Sequence, residues 1–193
     1  MQCTDRAISK IQPGMREVNI KDLIIAEFKS IGVEKFWHPT KIRIGSDTVK
    51  SFKELSDPEK ILNSEDICFL DLGPVIADHE ADYGKTFLVN SNKNSPMIDA
   101  CHSVFESTAQ AWKQKKLSGI ELFNFASTLA KDYGYDLNPM MAGHRLGDFP
   151  HKLFSSQKLF ELEASPNKNL WVLEIHIIDP SSQTGAFFED ILL

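Results

Sequence analysis

Two neighbouring segments give the clearest indication of the fold: DICFLDLG at residues 66–73 and DYGKTF at residues 82–87. The first is an apolar run of strand length that ends on a carboxylate, Asp71, and a Gly-Pro turn follows it. The second begins with Asp82 and continues into another apolar strand, so the two predict a β-hairpin. A single aspartate at a strand end is explained by a turn cap. Two aspartates on the arms of one hairpin are better evidence for a functional site, because a buried carboxylate needs a cation or a hydrogen-bond partner.

Helical and strand-like patterns extend on both sides of this hairpin. Ser95 caps a long helix that has proline in its first turn, and Ser118 with Glu121 forms a capping box. The predicted helices cover residues 16–31, 95–116 and 118–132, and the predicted strands cover residues 41–45, 66–71, 85–89, 170–178 and 186–192. This order of elements indicates an α+β fold, with helices on one face of an antiparallel sheet.

Composition limits the class of protein. A length of 193 residues predicts a single domain, residues 1–193. The net charge of −6 argues against a nucleic-acid or anionic-membrane partner. No apolar run approaches the roughly 20 residues that cross a bilayer, and the first ten residues do not resemble a secretory signal. The three cysteines have no metal-type spacing, so we expect free thiols in a cytoplasmic protein.

A glycine-rich segment supplies two histidines. Residues 142–151 read AGHRLGDFPH and contain His144 and His151. Gly143 and Gly147 suit a place where the backbone approaches a ligand closely. Either histidine alone is more simply a hydrogen-bonded structural residue, and their spacing is not a zinc motif.

Two later apolar strands are each interrupted by glutamate. Glu174 lies within WVLEIHI at residues 171–177 and shares a strand face with His176, and Glu189 lies within FFEDILL at residues 187–193. Each could face solvent, which the period of a strand allows. If they are buried, they need partners.

The order Asp71, Asp82, His144, Glu174, Glu189 resembles the ordered D…D…H…E…E signature of the superfamily of methionine aminopeptidase, aminopeptidase P and creatinase, peptidase family M24. The Asp-x-Gly strand, its Thr-Phe partner strand and Gly143-His144-x-x-Gly147 carry the resemblance most strongly. It implies the pita-bread fold, a curved antiparallel sheet with helices on its outer face, and a single metallopeptidase-like domain.

The resemblance also implies roles for these residues. Asp71 would chelate one of two divalent metal ions, Asp82 and Glu189 would bridge both, and His144 would bind the first metal ion alone. Glu174 would bind near the bridging solvent and act as the catalytic base. His151 would donate a hydrogen bond to the substrate near the scissile bond. Carboxylates with an imidazole suit Mn²⁺, Co²⁺, Fe²⁺ or Zn²⁺ without choosing among them, and manganese is among the expected metals.

Three departures from the family pattern leave alternatives open. Isoleucine rather than proline follows Glu174, so His176 is the alternative ligand to Glu174. The aminopeptidases carry a substrate-site histidine before the first aspartate, but residues 51–54 contain none, and His38 lies too far back to match it. The N-terminal domain of aminopeptidase P and creatinase is not evident, so strong proline specificity does not follow.

The leading hypothesis is therefore a metal-dependent aminopeptidase or Xaa-Pro-type peptidase that acts on a short peptide. A hydrolase of another small amide or guanidino compound and a non-catalytic peptide- or protein-binding domain remain alternatives, and a homo-oligomer is left open.

Three tryptophans, Trp37, Trp112 and Trp171, are expected in the core. His79 and Glu80 are expected in an exposed turn.

Overall fold

The computed structural model describes residues 2–91, 93–150 and 156–193. Within them, the helices are α1 (Gln2–Ile8), α2 (Glu17–Lys29), α3 (Pro96–Lys115) and α4 (Gly119–Asp132). The strands are β1 (Lys35–Phe36), β2 (Lys41–Ile44), β3 (Ile67–Leu72), β4 (Pro74–Ile76), β5 (His79–Glu80), β6 (Tyr83–Leu88), β7 (Asp136–Leu137), β8 (His144–Arg145), β9 (Trp171–Asp179) and β10 (Thr184–Ile191). Short 3₁₀ helices span Gly45–Val49 and Leu159–Glu161.

The strands form one large and one small antiparallel sheet. In the described part of the chain, the large sheet has the order β2-β3-β6-β10-β9-β7, and β8 also pairs with β9. The small sheet has the order β1-β4-β5. The longest-range pairing, between β6 and β10, joins the two halves of the chain into a continuous sheet.

All four helices lie on one face of the large sheet. α3 and α4 pack on alternate residues of β9, such as Leu173 and Ile175. α1 and α2 pack on alternate residues of β2 and β3, such as Ile42 and Leu70. Because side chains alternate between the faces of a strand, the intervening residues point away from the helices. The predicted α+β arrangement, with helices on one face, is confirmed.

Local capping explains where the two long helices begin. The Ser95 side chain accepts a hydrogen bond from the Ile98 backbone N–H, and Pro96 occupies the first helical position. Ser118 and Glu121 form the predicted capping box, in which each side chain accepts from the other residue's backbone N–H. These side chains satisfy donors that a helix start leaves without partners.

The hairpin differs from its prediction in one respect. β3 and β6 pair antiparallel as expected, but the predicted Gly73-Pro74 turn is wrong because Pro74 begins β4. The chain reverses instead at Ala77 and Asp78, both with positive φ. Two short strands thus extend the hairpin beyond the sheet, which the eleven-residue spacing between the aspartates did not reveal.

No helix among the described residues is long and apolar enough to span a membrane. The three cysteines are free, in agreement with the expectation from their spacing. One domain over residues 1–193 stays a prediction.

Candidate metal centre

Four adjacent strands place three carboxylates and a glycine in one row across the sheet. Asp71 of β3 pairs with Gly84 of β6, Gly84 pairs with Glu189 of β10, and Glu189 pairs with Glu174 of β9. Directly paired residues share a sheet face. This row lies on the face opposite the helices, because the neighbours of Asp71 and Glu174 along their strands belong to the helix-covered core.

Gly84 makes the row possible. A Cβ at this position would lie 2.8 Å from Glu189 Oε1 and 2.3 Å from the ring of Phe187. A side chain between Asp71 and Glu189 would therefore separate carboxylates that now face the same space.

Two further residues close the cluster from the side. Asp82 immediately precedes β6, and its carboxylate is buried. His144 of β8 pairs with Val172, two residues before Glu174, and so lies on the face that carries the row. Its Nε2 is 2.7 Å from Asp82 Oδ2 and 3.5 Å from Glu174 Oε1.

The structure thus brings together all five predicted ligands: Asp71, Asp82, His144, Glu174 and Glu189. It adds His38, between β1 and β2, whose Nε2 is 3.4 Å from Asp71 Oδ1 and 3.3 Å from Asp82 Oδ1. The sequence prediction set His38 aside because its distance from Asp71 along the chain did not match the family. The sequence did contain one indication, a histidine shortly before a predicted strand. Only the pairing of β2 with β3, in which Lys41 lies opposite Asp71, shows that this histidine is close to the carboxylates.

Three carboxyl groups are difficult to ionise in this cluster. Burial is the main reason that the pKa of Asp71 is raised to about 7; the charges of Asp82 and Glu174 act in the same direction, and His38 acts against them. Burial and then the charges of Asp82 and Asp71 raise the pKa of Glu189 well above its usual range. Burial likewise raises the pKa of Glu174.

Asp82 and His144 shift in the opposite sense. Burial alone would raise the pKa of Asp82, but hydrogen bonds from His144 and His38 outweigh it and bring the pKa to about 2. For His144, burial disfavours the charged ring, but the Asp82 carboxylate outweighs burial and raises the pKa to about 9. Asp82 is therefore the carboxylate that stays ionised most readily, because both histidines of the cluster face it.

The donor set fits divalent cations. Glu189 Oε1 is buried and has no hydrogen-bond partner among the described residues. Ligand atoms fall into two groups, each within 4.8 Å: His38 with Asp71 and Asp82, and His144 with Asp82 and Glu189. Asp82 belongs to both. Four acidic side chains with imidazoles are a set that borderline transition metals accept, and a cation would satisfy the orphaned oxygen.

His176, the alternative to Glu174, is held elsewhere. Its Nε2 donates to the Thr48 carbonyl at 2.7 Å, and its Nδ1 lies 3.1 Å from the Asn138 side-chain nitrogen. Burial lowers its pKa to about 4. Both ring nitrogens have partners outside the cluster, whereas Glu174 lines the cleft.

The cluster forms the floor of a cleft of about 270 Å³. Apolar walls come from Trp37, Phe52 and Met141, and lysines stand at Lys53 and Lys158. Trp37 is thus a wall of the cleft, half-buried, and its predicted place in the core is wrong. Its indole lies against the rings of His38 and His144, with centroids 4.3 and 5.0 Å away.

Other residues singled out from the sequence have varied positions. Trp112 and Trp171 are in the core as predicted. His79 is exposed as predicted and contacts Asp148, but Glu80 is buried. His151 lies outside the described residues, so its role stays a prediction.

Gly143 is placed where the sequence suggested a close backbone approach. Its φ is +64°, and a Cβ would lie 2.6 Å from the Val172 carbonyl oxygen. A side chain here would push β8, and with it His144, away from β9.

A family model described as metallopeptidase family M24 matches residues 1–193. No curated protein matches the sequence significantly. Among solved structures, the chain resembles an X-Pro aminopeptidase from Thermotoga maritima MSB8, with a TM-score of 0.78 and 18% identity over 98% of this chain and 53% of that one. A prolidase from Pyrococcus horikoshii OT3 gives a TM-score of 0.75 and 20% identity over 98% of this chain and 54% of that one.

A methionine aminopeptidase from Thermotoga maritima gives a TM-score of 0.72 and 15% identity, over 98% of this chain and 86% of that one. The chain spans about half the length of the first two proteins. These likenesses confirm the predicted pita-bread fold.

Proposed function

The chain belongs to metallopeptidase family M24, and from this premise we propose that it is a metal-dependent aminopeptidase or Xaa-Pro-type peptidase that releases the N-terminal residue of a short peptide. The observation that carries the proposal is the row of Asp71, Glu189 and Glu174 on one sheet face, completed by Asp82 and His144. The similar solved structures include an X-Pro aminopeptidase, a prolidase and a methionine aminopeptidase.

Two divalent cations are the proposed cofactors, held by Asp71, Asp82, His144, Glu174 and Glu189. When bound, they would lower the pKa of a shared water and polarise the scissile carbonyl. Manganese, cobalt, iron and zinc all suit mixed carboxylate and imidazole ligands. The orphaned Glu189 oxygen and the raised pKa of Asp71 support this, because cations would favour the ionised form of both groups.

Glu174 is the proposed proton carrier. It lines the cleft at 3.5 Å from His144 Nε2, and burial raises the pKa of its carboxyl group. A carboxylate whose pKa is raised toward neutral pH is a stronger base, so it accepts a proton from an attacking water more readily. It would then pass that proton to the leaving amine.

The cleft walls would hold the substrate. Trp37, Phe52 and Met141 offer apolar surface beside the carboxylates, which suits an uncharged side chain of the first or second peptide residue. His151 is proposed to donate a hydrogen bond near the scissile bond, as the resemblance implies.

Peptide hydrolysis with defined metal loading tests the proposal. Metal-stripped protein is reloaded with Mn²⁺ or Co²⁺ and incubated with peptides that begin with Met-Ala, Ala-Ala or Ala-Pro, and released amino acids are measured. We expect metal-dependent release from at least one series. An Asp71→Asn variant, purified in parallel, controls for contaminating peptidases. Metal-loaded protein that releases no amino acid from any series would contradict the proposal and favour a peptide-binding domain.

A further inference from the structure

His38 is the one residue of the cluster that the family pattern did not lead us to expect. It is 7% exposed, and its Nε2 faces Asp71 Oδ1 and Asp82 Oδ1 at 3.4 and 3.3 Å. A charge-assisted N–H···O bond is shorter, about 2.7–2.9 Å. The imidazole is therefore close to two carboxylates without a short contact to either.

The other ring nitrogen of His38 has a backbone partner. His38 Nδ1 lies 3.1 Å from the Pro39 carbonyl oxygen. A carbonyl only accepts hydrogen bonds, so Nδ1 carries the hydrogen, and in the neutral ring the lone pair is on Nε2. In that neutral form the Nε2 lone pair faces two carboxylates, which is repulsive unless a proton or a cation lies between them. Without metal, a proton on Nε2 lets the ring donate to Asp82, and a metal ion would take the place of that proton.

His144 repeats this geometry on the opposite side of Asp82. Its Nδ1 lies 3.1 Å from the Arg145 carbonyl oxygen, and its Nε2 faces Asp82 Oδ2 at 2.7 Å. Each histidine thus donates to the carbonyl of the next residue, and each faces a different oxygen of one carboxylate. Metal-binding histidines typically have this kind of backbone partner, because it fixes the tautomer and the ring orientation.

We propose that His38 is a further metal ligand, so that its Nε2 completes the cation position formed by Asp71 and Asp82. This inference rests on the proposed function. It gives each of the two cations one imidazole, with Asp82 shared between them. Two ligand atoms that are each about 2.1 Å from one cation lie roughly 3.0–3.4 Å apart, and both His38 separations fall in that range.

The surroundings hold the His38 ring in place. A Cβ on Gly73 would lie 2.3 Å from His38 Cδ2 and 2.4 Å from Nε2, so the absence of a side chain at residue 73 makes room for the ring. Trp37 and Phe52 stand edge-on to it, with ring centroids 4.3 and 5.4 Å away. Trp37 is itself anchored, because its Nε1 donates to the Ala81 carbonyl at 3.0 Å. A ligand held this way loses little freedom when it binds.

A nitrogen ligand changes the chemistry of this cation position. With oxygen ligands alone, the position beside Asp71 would favour hard cations such as Mg²⁺ or Mn²⁺. An imidazole makes zinc, cobalt and iron better occupants of the same position.

Metal titration of the full chain tests the assignment. Metal-free wild type, His38→Gln and His38→Ala are titrated with Co²⁺ by calorimetry, with the visible absorption of cobalt recorded in parallel. His79→Ala is the matched control, because His79 is exposed and its partner is Asp148. We expect two equivalents in wild type and control. In both His38 variants, one equivalent should weaken at least tenfold with a changed cobalt spectrum, while the other is unaffected.

A measurement on the wild type avoids any folding defect of the variants. In Co²⁺-loaded protein, the Nδ1–H groups of metal-bound histidines give strongly shifted exchangeable NMR signals. We expect signals from both His38 and His144, and a single such signal would overturn the assignment.

The outcomes separate this inference from the proposed function. If wild type releases amino acids and binds two equivalents, and the His38 variants bind both with unchanged affinity and spectrum, His38 is not a ligand and the peptidase proposal stands. If wild type binds no metal, both proposals fail.

Discussion

The buried carboxylates of the cleft can stay ionised only beside a cation or a hydrogen-bond donor. Glu189 is 2% exposed, and its Oε1 has no partner in the described part of the chain. A well-ordered sheet tolerates such an oxygen where the energy lost in burial is recovered by a ligand. The chemistry of the site thus follows from the unfavourable state of its carboxylates without metal.

The proposed proton transfer by Glu174 can be tested by replacing this one side chain. A Glu174→Gln variant keeps the shape of the side chain but cannot accept a proton. We expect kcat/KM for peptide release to fall by about 10²–10⁴-fold, because proton transfer to the leaving amine loses its carrier. Kinetic assays at saturating Mn²⁺ measure this loss. Metal content serves as the control, and a variant with full metal and undiminished rate would show that another group moves the proton.

His176 gives a prediction about pH. Its folded-state pKa of about 4 is below the ordinary 6.5, because burial disfavours the charged ring and outweighs the opposing effect of the hydrogen bond to Thr48. Nδ1, which would receive the proton, faces the Asn138 side-chain nitrogen. The unfolded chain therefore binds a proton between pH 6.5 and 4 that the folded protein does not bind. The stability conferred by the neutral ring is complete above pH 6.5 and decreases as pH falls toward 4, by on the order of 3 kcal/mol.

Chemical denaturation between pH 4 and 7.5 measures this effect. His176→Gln, which has no group that titrates in this range, should lose less stability on acidification than wild type. Parallel curves for the two proteins would contradict the assignment.

At the scale of elements, the row across β3, β6, β10 and β9 depends on strand register. A shift of one residue moves every side chain of a strand to the other face, so Asp71, Glu189 and Glu174 meet only in the observed pairing. Gly84 supports that register, because a side chain at this position would collide with Phe187 and Glu189 of β10. Thr86 adds to it, since its hydroxyl exchanges hydrogen bonds with the backbone of Phe187 at 2.7 and 2.8 Å.

Gly84→Ala tests the row. The new methyl group would meet Phe187 and Glu189 at 2.3 and 2.8 Å. We expect a loss of about 1–3 kcal/mol in the free energy of unfolding from overpacking and a weaker affinity for metal. Lys85→Ala is the control on the same strand: Lys85 forms an ion pair with Asp5, and loss of an ion pair near the surface changes stability by less than about 1 kcal/mol. Equal stability and metal affinity in Gly84→Ala and wild type would contradict this account.

For the whole molecule, metal removal gives a further prediction. Cations between β3, β6, β8, β9 and β10 would connect parts of the chain that are distant in sequence, and a ligand that binds only the folded state stabilises it. We expect chelation to lower Tm by roughly 5–10 °C and added Mn²⁺ or Co²⁺ to restore it. Calorimetric scans with and without chelator measure the change, and an unchanged Tm would argue against a structural contribution of the metal.

The metal-free protein should also respond to alkaline pH. The pKa of His144 is about 9 in the folded protein and 6.5 ordinarily, so the stability from its pairing with Asp82 is complete below pH 6.5 and is lost as pH rises through 9. With metal bound, the cation replaces that proton, and we expect a flatter dependence. Denaturation curves of chelated and loaded protein between pH 6.5 and 9 measure the difference.

The α+β class, the extents of α2, α3 and α4 and the main strands were predictable from local rules, namely helix caps and the period of two in strands. The five residues of the candidate site were predicted from the resemblance of their order to the family signature, together with the energy needed to bury Asp71 or Glu189 without a partner. Three placements could not be predicted without the three-dimensional structure: His38 joins the cluster, His176 is held by Thr48 and Asn138, and Trp37 lines the cleft. They depend on strand register and on loops that approach across the sheet, where residues far apart in the chain meet and no local sequence pattern encodes the distance.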